Sequence, residues 1–242
     1  MRVAVISDIH GNLHALEAVL GAIDAEGVDE LWSLGDVVGY GPRPNACCDR
    51  VASRARLSLA GNHDLGVLGT IDLEEFSPDA FASASWTREV LRPDAHAYLA
   101  GLSPQGVREG VELFHASPRD PVWEYILSGE AALDALELTS APLVLVGHSH
   151  VPLAVGLDGG TLDGGLAPGG TEAELGTGRW LLNPGSVGQP RDSDPRAAYL
   201  LLDLAAGRAW FRRVEYPVER TQAELRERNL PAALAERLAV GV

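Results

Sequence analysis

A chain of 242 residues with 46% hydrophobic content can bury one full core, and its length fits a single domain over 1–242. A formal charge of −15 argues against a protein that coats long nucleic acid, because polyanion binding draws its affinity from cationic surface. All 19 basic residues are arginine, which excludes a Schiff-base or P-loop lysine, so positive charge for a phosphate must come from Arg, protonated His, a helix end or a bound metal.

In chain order, RVAVIS (2–7) reads as a buried strand, and the apolar residues Val3 to Ile6 stop too soon for a signal-peptide core. No later run approaches a membrane span, so the expected location is cytoplasmic with no membrane partner. GNLHALEAVLGAIDAEG follows as an amphipathic helix with Leu13, Leu16, Val19, Leu20 and Ile23 on one face. A strand over 30–34 ends at Gly35-Asp36. A Gly/Pro-punctuated loop then leads to a helix near 44–54, where the adjacent Cys47 and Cys48 suit neither a disulfide framework nor a zinc cage. A third strand, 56–60, ends at Gly61-Asn62-His63-Asp64, and 70–104 reads as a helical insertion.

A strand over 111–115 precedes a helix expected near 121–138, in which Trp123 and Tyr125 default to core packing, with the shaping of a substrate pocket together with the 70–104 insertion as the alternative. The strand 142–147 then delivers Gly147-His148-Ser149-His150. Gly-rich turns beyond 151 suggest antiparallel hairpins, with strands near 179–182, 197–203 and 208–215 and a last helix pair split around Pro231. The pattern is α/β in the first half and strand-rich in the second. It predicts two packed mixed β-sheets flanked by helices, a four-layer α-β-β-α sandwich with its site at the carboxyl ends of strands.

Five expected strand ends carry polar residues able to bind metal: Asp8 and His10; Asp36; Asn62 and His63; His115; His148 and His150. Carboxyl ends of strands form the crevice of open α/β sheets, so these residues can converge. Each pattern alone is a common cap, turn or core histidine, but five of the seven histidines fall at such ends. Imidazole, carboxylate and carboxamide without thiolate suit Mn, Fe, Zn, Co or Ni better than Ca or Mg. Eight candidates suffice for two ions about 3.5–4 Å apart, the arrangement that clamps attacking and leaving oxygens in phosphoester hydrolysis.

In order, SDIHGN (7–12), LGDVVGYG (34–41), AGNHD (60–64), LFHASP (113–118) and VGHSH (146–150) resemble the motif set of the calcineurin-like metallophosphoesterases. NPGSVGQPRD (183–192) resembles a strand-to-turn segment of their small prokaryotic phosphodiesterase branch. The resemblance implies two divalent transition-metal ions, Mn favoured, one held by Asp8, His10, Asp36 and His150 and the other by Asp36, Asn62, His115 and His148, with Asp36 bridging. It implies hydrolysis of small phosphodiesters, and of monoesters too, by in-line attack of a metal-bridging hydroxide. His63 takes the position of the general acid. Where protein phosphatases and dinucleoside tetraphosphatases of this family carry G-D-x-V-x-R-G, Gly39-Tyr40-Gly41 stands here, which disfavours those two activities. Arg43, Arg119 and Arg191 lie just beyond motif loops and are candidates for the missing phosphate clamp, with a surface ion pair as the default reading of each; Asn12 is a candidate contact that equally suits an N-cap. The alternative within the family is a non-catalytic interaction scaffold. The expected partner is a small phosphoester and not long nucleic acid, and the oligomeric state is not legible.

Overall fold

The computed structural model describes residues 1–242. The first half alternates strand and helix: β1 (Arg2–Ile6), α1 (Leu13–Glu26), β2 (Glu30–Ser33), α2 (Pro44–Arg54), β3 (Leu57–Ser58) and α3 (Asn62–Leu68). Next come α4 (Pro78–Val90) and α5 (Pro93–Ala100), each begun by a proline whose missing N–H costs nothing at a helix start. They are followed by β4 (Gln105–Arg108), β5 (Val111–Phe114), α6 (Gly129–Glu137) and β6 (Leu143–Leu145). The strand-rich half comprises β7 (Leu153–Asp158), β8 (Thr161–Leu166), β9 (Glu172–Glu174), β10 (Arg179–Asn183), β11 (Ala197–Asp203) and β12 (Arg208–Val214), before α7 (Val218–Glu227) and α8 (Ala232–Glu236).

Two mixed six-stranded sheets result, in the orders β3-β2-β1-β11-β12-β9 and β4-β5-β6-β10-β7-β8. The period-2 alternation of β1 shows how they stack. Val3 and Val5 point into a core shared with Leu113, Leu145 and Leu182 of the second sheet, whereas Ala4 and Ile6 point out against Leu16, Val19 and Ile23 of α1. On the far side, Ala132 and Leu136 of α6 cover Val144, Val155 and Leu181. The expected four-layer α-β-β-α sandwich is therefore the observed fold. Glu30 of β2 clamps the two sheets by accepting from Arg108 of β4 at 2.6 and 2.5 Å; that hydrogen-bonded guanidinium holds the Glu30 carboxyl down at about 2.

β1, β2 and β3 are mutually parallel, as are β5 and β6, so the five motif loops leave their strands at one end of the sandwich. Three local expectations are corrected. β3 is only a two-residue bridge, and β4 is a strand the pattern did not offer. The helix expected over 121–138 begins only at 129, because the Asp120 side chain accepts from the Val122 and Trp123 N–H groups in a turn, and Ser128 caps the helix by accepting from Ala131 N–H. No helix is long and apolar enough to cross a membrane.

Candidate metal centre

Backbone conformation is the first unusual property of the site. Asp8, His10, Asp36, His148 and His150 all adopt left-handed φ values between +49° and +61°. For non-glycine residues this costs roughly 1–2 kcal/mol each, a strain that persists only where surrounding structure enforces it. Here the loops lock one another. Asp8 N–H donates to Gly35 O at 3.1 Å, His10 N–H to Asp36 O at 2.9 Å, and Gly147 N–H to His115 O at 2.8 Å. His148 N–H donates to Asp8 Oδ2 at 3.1 Å, joining the loop after β6 to the loop after β1. Asp64 is buried as an anchor that the sequence reading did not assign: its carboxylate accepts from the backbone N–H groups of Gly61, Val37 and Val38.

Each of four imidazoles is oriented through one ring nitrogen. Nδ1 of His10 lies 3.2 Å from Val38 O, Nδ1 of His115 2.8 Å from Leu34 O, and Nδ1 of His150 2.6 Å from Gln189 O. His148 is turned the other way, with Nε2 3.2 Å from Trp123 O. Such N–H···O=C contacts fix the tautomer and leave the opposite nitrogen a lone pair. Those lone pairs converge on the carboxylates. His10 Nε2 and His115 Nε2 stand 3.5 and 3.6 Å from Asp36 Oδ2, and His150 Nε2 stands 3.5 Å from Asp8 Oδ1. Asn62 Oδ1 is 3.3 Å from His115 Nε2.

Ligand atoms of Asp8, His10, Asp36 and His150 lie within 4.8 Å of one another, as do those of Asp36, His115 and His148, so two groups able to hold a metal ion share Asp36. The residues fit metal ions on their own chemistry. Asp8 Oδ1 and Asp36 Oδ2 are buried without a hydrogen-bond donor, and a buried unpartnered carboxylate oxygen costs several kcal/mol, on the order of 1–3 or more. Burial, with Asp36 nearby, pushes the Asp8 carboxyl up to about 7; burial beside Asp64 raises Asp36 as well. Burial likewise holds His10, His63 and His150 well below their ordinary value and His148 down at about 2. A divalent cation reverses this balance by favouring ionised carboxylates and neutral imidazoles together.

Beside this cluster opens a cavity of about 240 Å³ lined by Asp36, Asn62, His63, His148 and His150, with Tyr40, Phe76, Trp123, Tyr125 and Arg191 around them. His63 is buried near the start of α3. Its N–H donates to Asp36 Oδ1 at 2.8 Å and its Nδ1 has no partner. Arg191 reaches in from the turn after β10, its guanidinium 3.3 Å from Tyr40 OH and 3.0 Å from Gln189 Oε1, with no carboxylate holding it. Tyr40 occupies the place of the arginine in G-D-x-V-x-R-G, and Arg191 thus comes to its tip from another segment.

The remaining candidate contacts are placed elsewhere. Arg43 is held by Glu224 at 2.7 and 2.6 Å, and Arg119 by Glu124 and Asp134 at 3.1 and 2.7 Å. Neither lines the cavity, so at these two positions the surface ion pair is what the structure shows and not the clamp. Asn12 is the N-cap of α1, accepting from Ala15 N–H and Thr221 Oγ1 while donating to Gly188 O and Tyr216 OH, which leaves it no free polar atom. Trp123 and Tyr125, expected inside a helix core, instead stand in the loop 121–128 at the cavity. Their signal was present in Asp120-Pro121 and in Ser128, a turn and a cap enclosing too short an interval for a helix.

Residues 1–207 match the model of the calcineurin-like phosphoesterase superfamily domain, and the chain belongs to that family. An uncharacterized protein of Methanocaldococcus jannaschii is 36% identical over 99% of this chain and 98% of its own length. The crystal structure of a metallophosphoesterase from Sphaerobacter thermophilus is 42% identical, covers both chains fully and superposes with a TM-score of 0.90. A hypothetical protein of Pyrococcus horikoshii OT3 shares the fold, with 22% identity, coverage of 100% and 98%, and a TM-score of 0.81.

Proposed function

We propose that the protein is a dinuclear metal-dependent phosphoesterase acting on small phosphodiesters, and on monoesters too, with Mn the favoured ion. The observation that carries this is the sharing of Asp36 between two buried donor groups that open on one cavity together with His63 and Arg191. Asp8, His10, Asp36 and His150 would hold one ion, and Asp36, Asn62, His115 and His148 the other. When bound, such ions supply Lewis-acid chemistry: polarised phosphoryl oxygens and a nucleophilic water near neutral pH.

The chain's own groups do the rest. Arg191, free of carboxylates, offers its N–H groups to a non-bridging phosphate oxygen, a charge-assisted contact that orients the ester. His63 is kept neutral in the free protein by burial first and by Arg191 second. The negative charge of a bound phosphoester opposes both causes, so His63 gains a proton as substrate binds and delivers it to the departing oxygen. Tyr40 holds both groups in place: its ring packs 4.3 Å from the His63 ring and its hydroxyl meets Arg191.

The deciding experiment strips the metal, reloads the protein with Mn, Ni, Co, Zn or Mg, and assays bis-p-nitrophenyl phosphate and p-nitrophenyl phosphate in parallel. Turnover with Mn, faster on the diester, is expected. No turnover of either ester under any metal would leave the scaffold reading in its place.

A further inference from the structure

We propose that the loop 121–128 forms a stacking subsite that selects phosphoesters carrying one phosphate group and a flat aromatic ring, of which a nucleoside is the biological member. The proposal rests on reading the metal centre as a phosphoester site. Its own evidence is the way this loop is tied to the centre. The Trp123 carbonyl orients His148 through Nε2, and the Tyr125 ring stacks on the His148 ring with centroids 4.1 Å apart and planes at 27°. One face of Tyr125 is therefore fixed against a metal-binding imidazole, at a set distance from any phosphate held there. The residue is nevertheless 48% exposed, so the stack leaves much of the ring open to the cavity mouth.

The surroundings suit a planar group. Trp123 packs edge-on against Phe76, with centroids 5.3 Å apart, and Phe76 packs edge-on against His63 at 5.0 Å, so an aromatic wall runs from the proposed general acid to Trp123, and Tyr125 lines the same cavity from its stack on His148. Two aromatic rings, Trp123 and Tyr125, lining so small a cavity from a non-helical loop with no helix face to bury are poorly explained as core packing. Base-on-aromatic stacking is sequence-tolerant and strong enough to decide affinity, because every base has a π-face. Charge sets the second half of the preference. Glu75, exposed at the same mouth, repels further phosphates, while Arg191 is the cation of the wall free of carboxylate partners. One phosphate is accommodated and a second meets a carboxylate.

Calorimetry tests this on the Mn-loaded protein carrying His63→Ala, which slows turnover so that binding is read, with adenosine 5′-monophosphate, ribose 5-phosphate and adenosine 5′-diphosphate as ligands. The monophosphate nucleotide is expected to bind about tenfold or more tighter than ribose 5-phosphate and at least as tightly as the diphosphate. Tyr125→Phe should keep the first preference and Tyr125→Leu should lose it, with Mn content checked in both. Glu75→Gln should improve binding of the diphosphate relative to the monophosphate. Equal binding of the nucleotide and ribose 5-phosphate by the protein that retains Tyr125 would overturn the subsite, as would an undiminished preference in Tyr125→Leu or a diphosphate that binds more tightly than the monophosphate. Because binding is the readout, this outcome is independent of whether bis-p-nitrophenyl phosphate is turned over, which decides the underlying phosphoester reading.

Discussion

His10 and His150 present their Nε2 atoms to each other at 3.0 Å while each engages a backbone carbonyl through Nδ1. With the protons on Nδ1, two lone pairs face one another beside the bare oxygens of Asp8 and Asp36, an arrangement that a shared cation makes favourable. Adding Mn to stripped protein at about a thousandfold excess over its dissociation constant should therefore stabilise the fold by about 4 kcal/mol. For a chain of this size that is a rise in Tm of about 10 °C. His10→Ala or His150→Ala should abolish much of that rise in a calorimetric scan; an undiminished rise in both would place the ions elsewhere.

Metal affinity should depend on pH with a definite sign. Asp8, raised by burial to about 7, must release its proton to bind an ion, whereas His10, His148 and His150 are already neutral near pH 6. Binding thus releases at least one proton below pH 7, and apparent affinity should rise about tenfold per pH unit towards 7. It should flatten above, with the raised Asp36 steepening the approach. Competition against a chelator from pH 5.5 to 8.5 measures this. An affinity that falls as pH rises from 5.5 to 7 would contradict the assignment of the buried carboxylates as ligands.

His63 and its neighbour Gly39 separate chemistry from metal binding. His63→Ala should slow turnover by about 10²–10⁴ while metal content, read by elemental analysis, stays intact. Gly39 has φ +86°, and a Cβ there would overlap the His63 ring, so Gly39→Ala should reproduce much of the His63 defect without touching any proposed ligand. If His63→Ala lost its metals, its assigned role would be wrong.

Three arginines and an asparagine that look alike in sequence should behave differently. Arg191→Ala should lower kcat/KM by about a hundredfold, comparable to losing one donor from an anion hole. Arg43→Ala and Arg119→Ala should stay within about twofold, as exposed ion pairs contribute little. Asn12→Ala should cost about 1–3 kcal/mol of stability, seen in denaturant titration, with metal content retained.

Much of the centre was legible because all the proposed ligands but Asn62, which follows the two-residue β3, come after a strand that the sequence punctuates clearly: Ile6 before Asp8, Ser33 before Asp36, Phe114 before His115, Leu145 before His148. The unbroken apolar run Val3, Ala4, Val5 and Ile6 likewise points to a strand buried on both faces. What stayed hidden depends on long-range packing. β10 lies parallel to β6 and antiparallel to β7 in one sheet, a pairing set by the core and not by any local pattern. The left-handed backbone of Asp8, His10, Asp36, His148 and His150 is enforced by neighbouring loops, and no propensity announces it. Trp123 and Tyr125 lie outside the helix expected near 121–138 because the turn at Asp120 and the cap at Ser128 delay its start to 129.

The most direct test titrates metal-stripped protein with Mn and follows hydrolysis of bis-p-nitrophenyl phosphate against equivalents added. Two ions sharing Asp36 predict activity that climbs to a plateau at about two equivalents per chain, and an Asp36→Ala variant flat throughout. A plateau at about one equivalent, or a wild-type trace that stays flat at every ratio, would contradict the account.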